Sequence, residues 1–430
     1  MMKDNEVFSG GSPTWANACV GNNGNPGYWE YAKGFSQAAN CLINLVLTEL
    51  ESKHSVDELV YPVCFNMRHS IELRLKGAIT ELKCIGAYRN IDLEFDYAGT
   101  HDIRIIWQSF ARNAVTLDDR YQHSIEKLAR KIEDIAKVDP TGQTFRYPHD
   151  MSKKKHLVEV KVINFFTLSK SFSEIETELD HLHDLNQLLR DEYALGTYTN
   201  KLSRQNIFDI ASSLPSRSSW RDPSFETIRK KQRDRFKISG SELSRCIKII
   251  ESHYEFAPLI GIEIPLRGVS DTRLDNFFRL WLQRHNNSHF ETASSIQNYM
   301  VTSDELFAAV MKRSETQTDI WEKVKSKLSA EELAGLSALF YFALYLRFSE
   351  YYLNQFESDL KEAQLTFRDS EDSIRSAYFH LLDKTNALEN ILLSLYFLRK
   401  SELADNLVTT HDLESRFSWL DEARTGVLFQ

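Results

Sequence analysis

The sequence has little of what most readily announces a reaction. It contains no GxxxxGK[ST] stretch, no strand-like run leading into GxGxxG and no GxSxG. The phosphate-cradling loops of NTPases, the dinucleotide-binding turn and the strained nucleophile elbow are therefore unsupported. Cysteine is scarce: five residues in 430, at positions 19, 41, 64, 84 and 246, with no C-x-x-C pair. Three of them fall inside apolar helical patterns, where a reduced thiol is the usual state, and this points to the cytoplasm. Positive charge is not in excess, with 52 Lys and Arg against 61 Asp and Glu and a net charge of -9. Coating nucleic acid by bulk charge is thereby excluded, and any such binding needs a local basic patch. Long apolar runs are missing too. The most apolar charge-free segment, Leu333 to Leu346, spans only fourteen residues, against the roughly 20 a membrane helix needs. The N-terminus lacks a basic stretch followed by an apolar run, so no secretory leader is expected.

What is present is helical periodicity. Apolar content of 42% with 12% aromatic residues supplies cores for more than one domain. An irregular Gly/Asn-rich arm precedes a first helix over Tyr31 to Glu51, marked by Phe35, Ala39, Leu42, Ile43 and Val46. A second covers Tyr61 to Leu82, with Pro62 in its first turn. Thr100 or Asp102 caps a third, a charged helix covers 115 to 137, and another runs from Val162 to Glu192. Between these last two, Asp139 to Asp150 is turn-rich, and the alternating LVEVKV at Leu157 to Val162 predicts a small β-hairpin. The Ser-, Arg- and Pro-containing stretch from Thr197 to Pro223 reads as a domain joint. Beyond it, Ser239 to Glu242 has capping-box spacing. Helices fill most of Asp271 to Leu407, including Leu333 to Phe356, with no polar face, and a long one from Asp372 to Asp405. The expectation is an all-α protein of two domains, 1–196 and 197–430, with at most that hairpin.

The chemistry-bearing side chains concentrate in the second helix. At about 100° per residue, Arg68, His69, Glu72 and Lys76 share one stripe beside the apolar face of Met67, Ile71, Leu75 and Leu82. Their spacing predicts that Arg68, Glu72 and Lys76 pair with one another or with the helix start at His101 and Asp102. For a metal the pattern is poor. His181 and His183 point about 200° apart on a helix, which makes them surface residues, and His285 with His289 lacks the glutamate of H-E-x-x-H. No metal and no cofactor is expected.

The run RHSIELRLKGAI (Arg68 to Ile79), a loop, and GTHDIRIIWQSF (Gly99 to Phe110) resemble the HEPN superfamily, in which a helix with a basic "LK" step precedes an "HDL"-type helix start. The resemblance covers roughly residues 30 to 195. It implies a bundle of four or five helices, frequently dimeric. In many members it implies a metal-independent endoribonuclease of toxin or antiviral defence systems, whereas others bind nucleotides or proteins.

Active members of that superfamily carry Arg-x4-6-His. No arginine of the N-terminal half has a histidine at that spacing. Three pairs elsewhere do: Arg279 with His285, Arg284 with His289, and Arg375 with His380. His380, in an apolar helix, reads as a core histidine. Two candidate sites remain side by side, Arg284 with His289 on the motif, and Arg68, His69, Glu72 and Asp102 on the location. Metal-free RNA cleavage needs a base for the 2′-OH and a cation for the charged phosphorane, which histidine and arginine supply. RNA would be gathered by Arg229, Lys230, Lys231, Arg233, Arg235 and Lys237, helped by Lys153 to Lys155. Homodimerisation and a partner protein of a defence system follow from the resemblance. The rival reading is a non-catalytic helical interaction, scaffold or sensor protein.

Overall fold

Apolar residues recurring at three and four positions, with few breakers, make this chain helical almost throughout. The computed structural model describes residues 7–48, 55–95, 99–150, 152–285 and 303–429, and has 69% helix in sixteen α-helices with no strand among the described residues. The chain divides into two compact units, Met1–Gly196 and Thr197–Gln430.

Unit 1 is built on one long helix. α1 (Tyr28–Thr48), α3 (Ile103–Leu117) and α5 (Phe165–Ala194) pack against α2 (Val56–Arg89), and α4 (Tyr121–Val138) lies on α3 and α5. α2 is held because Ile71, Leu75, Ile79, Leu82 and Ile85 are fully covered. Asp57 and Glu58 in its first turn suit the helix dipole. It stops at Asn90, left-handed at φ 52°, where the Ile91 amide returns to the Gly86 carbonyl at 2.9 Å. It starts earlier than Pro62 suggests, and Pro62 sits inside the helix. The missing proline donor falls opposite the Glu58 carbonyl, so the helix forgoes one bond in its second turn.

Two features of this unit differ from the periodicity. The charged helix expected over 115–137 is two helices, because Asp118 and Arg120 form a turn after Leu117. Arg120 there grips Glu192 of α5 at 2.7 and 2.8 Å, and the Tyr193 hydroxyl donates to Asp118 at 2.8 Å. The hairpin is not formed. Only an isolated bridge joins His149 and Lys155, and Val158 and Val162 stand 69% and 85% exposed, with no sheet face to bury against.

Unit 2 carries α6 (Arg204–Ser213), α7 (Ser224–Phe236), α8 (Gly240–Ser252), α9 (Asp271–His285), α10 (Ser303–Val324), α11 (Ala330–Phe342), α12 (Glu350–Asp369), α13 (Glu371–Leu382), α14 (Ala387–Phe397), α15 (Ser401–Thr410) and α16 (Leu420–Thr425). The stretch read as a joint is instead part of this unit's core, since Leu202, Ile207, Ile210 and Ala211 are buried with Leu243, Cys246 and Ile250. The Ser239 cap forms, its Oγ accepting from the Glu242 amide at 3.2 Å. α11 is buried over most of its surface, with Ser337 and Tyr341 only half-buried on its remaining face, and the loop before α9 lies across it. A Cβ on Gly335 would come within 2.5 Å of the Arg267 carbonyl oxygen. The helix expected from Leu333 to Phe356 breaks after Phe342, leaving Leu344 and Tyr345 60% and 64% exposed. The one expected over Asp372 to Asp405 is α13, α14 and α15, with a left-handed turn at Arg399, φ 57°. Among the described residues no helix is long and apolar enough to cross a membrane.

Candidate functional site

The Arg68 stripe lies where three segments meet: the middle of α2, the start of α3 and the 139–144 loop. Asp102 caps α3, its Oδ1 accepting from the amides of Arg104 at 2.9 Å and Ile105 at 3.3 Å. The Ile103 amide donates to the Pro140 carbonyl at 2.8 Å, tying the loop to that helix start. Asp139 Oδ1 accepts the Thr144 amide at 3.1 Å and closes the loop on itself.

Arg68 is 2% exposed. Its Nε donates to the Asp139 carbonyl at 3.3 Å and its Nη2 to the Pro140 carbonyl at 2.7 Å. Nη2 also donates to the His101 carbonyl, and Nη1 to Glu72. Gly142 is left-handed at φ 77°, and a Cβ there would stand 3.2 Å from Arg68 Nη1, so only glycine lets the loop close this tightly.

Glu72, also 2% exposed, is the hub. Besides Arg68 on Oε2, its Oε1 accepts from Lys76 Nζ at 2.6 Å and from His101 Nδ1 at 2.8 Å, and His69 Nδ1 lies 3.9 Å from Oε2. Burial by itself raises the Glu72 pKa, but the hydrogen bonds from His69, Lys76 and His101 and the Arg68 charge together hold it well below the usual carboxylate range. Glu72 is thus an anion at neutral pH and accepts only, which places a proton on His101 Nδ1. The His101 side chain is 67% exposed, so a neutral ring leaves Nε2 as a free base toward solvent.

Around this hub the ring of His69 meets Phe35 edge-on at 4.5 Å and stacks on Phe65 at 5.6 Å. The exposed Arg146 sits 5.3 Å from the Phe65 ring and 5.6 Å from that of Tyr147, with its Nε donating to the Gly142 carbonyl at 2.7 Å. The arrangement is one oriented base, a second imidazole, three cations (Arg68, Lys76 and Arg146) and aromatic faces beside a buried anion. Of the alternative set, the structure brings together Arg68, His69 and Glu72. It places Asp102 as a cap and adds His101 and Arg146.

Of the other candidate, only Arg284 lies among the described residues, and His289 lies outside them. Arg284 is turned into unit 2, its side chain 5% exposed, its Nε on Asp383 Oδ1 at 2.8 Å and its guanidinium 5.7 Å from the Phe379 ring. His285 stacks on Trp281 at 3.9 Å and donates Nδ1 to the Trp281 carbonyl at 2.9 Å, with burial lowering its pKa. His380 is exposed, within 3.3 Å of the Tyr341 hydroxyl, and is no core residue. His181 is exposed as expected, whereas His183 is half-buried against Trp29 at 3.7 Å.

In the basic run, Arg229 and Arg233 pair with Glu226 at 3.0 and 3.3 Å and Arg235 lies 3.8 Å from Asp209. Half of its charge is therefore answered locally. A further cluster in unit 2, His253, Glu255 and Glu350, has ligand atoms within 4.8 Å of one another. Arg204 occupies it, with bonds of 2.9 and 3.0 Å to both oxygens of Glu350 and one to Glu255, between the rings of Phe256 and Phe348. That guanidinium already fills the space a cation would take, and the group reads as a buried ion network. Comparison with family models, curated proteins and solved structures finds no match to this chain.

Proposed function

We propose that unit 1 is a HEPN-like ribonuclease module, working without a metal, with its reacting groups at Glu72 and not at Arg284. The observation that carries the reading is the exposed His101 ring, oriented through Nδ1 by a carboxylate that Arg68 and Lys76 keep ionised. His101 Nε2 takes the 2′-OH proton as the 2′ oxygen attacks phosphorus. His69 is the group that delivers a proton to the departing 5′ oxygen, and Arg146 with Lys76 stabilises the phosphorane charge. The products are a 2′,3′-cyclic phosphate and a 5′-hydroxyl. Arg68 is a positioning residue, too deeply buried to touch the phosphate. Phe65 and Tyr147 offer faces on which bases stack. A homodimer and a toxin or antiviral defence setting rest on the sequence resemblance.

The test is full-length protein with end-labelled RNA in EDTA. Cleavage leaving cyclic phosphate ends, reduced about 10²-fold or more by His101→Ala, supports the reading. Cleavage indifferent to His101→Ala, or none under any condition, refutes it. A non-catalytic interaction module is favoured by one observation: both Glu72 oxygens are fully partnered, as in a purely structural ion network.

A further inference from the structure

Three helix faces in unit 2 line a groove of about 1130 Å³ that no described residue fills. α11 turns Ala334, Ser337 and Tyr341 toward it, α12 turns Asp359, Glu362, Thr366 and Asp369, and α13 turns Ser373, Ala377 and Leu381. Each set recurs at three, four or seven positions, which is how a helix addresses a neighbouring helix. α13 follows α12 after the single residue Ser370, and α11 faces both, so the three supply the walls of a bundle with one member missing.

The chemistry of the walls says what such a helix carries. Leu344, Tyr345 and Leu365, 60%, 64% and 65% exposed, line this same groove and form an apolar surface that water covers poorly. Asp359, Glu362 and Asp369 supply three carboxylates, and among the described lining residues His380 is the one basic side chain, with no lysine or arginine. Asp359 Oδ1 accepts from Gln355 Nε2 at 2.7 Å. Its Oδ2 is buried with no hydrogen bond among the described residues, the neighbouring Ser337 hydroxyl not reaching bonding geometry. A buried carboxylate oxygen without a donor is costly and calls for a cation from outside.

We propose that this groove docks a helical segment of a partner protein, with an apolar stripe flanked by arginine or lysine. The stripe covers Leu344, Tyr345 and Leu365, and a guanidinium reaches Asp359 Oδ2 with Glu362 beside it. A second copy of this chain is a poor occupant, because a chain of net charge -9 meets its own acidic groove with repulsion. The proposal concerns unit 2 alone and is independent of the ribonuclease reading.

Fluorescence anisotropy of the full chain with a labelled synthetic helix, leucines at i, i+3, i+4 and i+7 and arginines on both flanks, tests it. The expected result is saturable binding that weakens about tenfold or more in Leu365→Asp and in Asp359→Asn, and that falls with added salt. Both positions tolerate the change without loss of core, and circular dichroism verifies the fold. Absence of saturable binding, affinity unchanged in both variants, or equal binding of the peptide with glutamate in place of arginine overturns the proposal. So does a wild-type dimer in sedimentation that Leu365→Asp converts to monomer, since the occupant is then a second copy.

Discussion

Replacing Glu72 by glutamine keeps its shape and removes its charge, leaving Arg68 as a buried cation. Arg68 retains three carbonyl acceptors, from His101, Asp139 and Pro140, but loses its only carboxylate. Removing one partner of a buried pair costs about 3–5 kcal/mol, and Lys76 and His101 lose a common acceptor as well. For a unit of this size each kcal/mol moves the melting midpoint by about 2–4 °C, so a fall of about 6–20 °C is expected for unit 1. Hydrogen exchange of the α2 amides in the full chain isolates this unit's opening energy. The pH dependence has a definite sign. Because the folded Glu72 pKa lies below its unfolded value, the stabilisation is complete above the unfolded value, about 4.3. It is lost as pH falls from there toward the folded pKa, so wild type and Glu72→Gln converge under acid. The double change Arg68→Met with Glu72→Leu should recover much of the loss, since an apolar pair can replace a buried ion pair. A Glu72→Gln cost below about 1 kcal/mol, the worth of an exposed pair, would refute the buried-hub argument.

Gly142→Ala forces a left-handed alanine and crowds Arg68 Nη1. An increase in α2 and α3 amide exchange worth about 1–2 kcal/mol is expected, with a matching drop in any RNA cleavage. Asp102→Ala removes two accepted amide bonds and should cost about 1 kcal/mol, read in the exchange of the first turn of α3. Asp359 has its pKa raised, first by burial and then by Glu362. Folding therefore favours its protonated form, and its ionisation reduces stability as pH rises through the ordinary aspartate value. Asp359→Asn should accordingly stabilise unit 2 at neutral pH while weakening the peptide, and a melting comparison at two pH values checks it. Cys19, Cys41 and Cys84 are exposed, whereas burial pushes the Cys64 and Cys246 thiols up to about 12. A disulfide reagent should titrate three thiols quickly in native protein and the other two only on unfolding.

The helices whose breakers and caps are local were readable. Asp102 before an apolar stripe marks the start of α3, and the leucines of α5 mark its length, because both signals lie within one or two turns. The break between α11 and α12 was not. Leu344, Tyr345 and Leu346 continue the apolar run with no glycine or proline, and the turn is set by what α11 packs against, not by its own residues. The hairpin failed for a related reason: alternation in LVEVKV predicts a strand only where another strand exists to pair with it. At the site, the i,i+4 ladder of Arg68, Glu72 and Lys76 was legible from spacing. The role of His101 was not, since its partner lies 29 residues away and only the closing loop brings them together. Arg284, singled out by a short motif, has its side chain buried on Asp383, and its motif partner His289 lies outside the described residues.

The carbonyls that hold Arg68 lie 33, 71 and 72 residues along the chain from it. An α2 helix formed early therefore carries an arginine that must stay hydrated until α3 and the 139–144 loop have both arrived. A partial bundle of α1, α2 and α5 closes its apolar contacts but leaves that guanidinium with Glu72 of its own helix and without its three carbonyls. Those carbonyls couple α2 to α3 and to the 139–144 loop, so the amides of all three should lose protection together when any one of them opens.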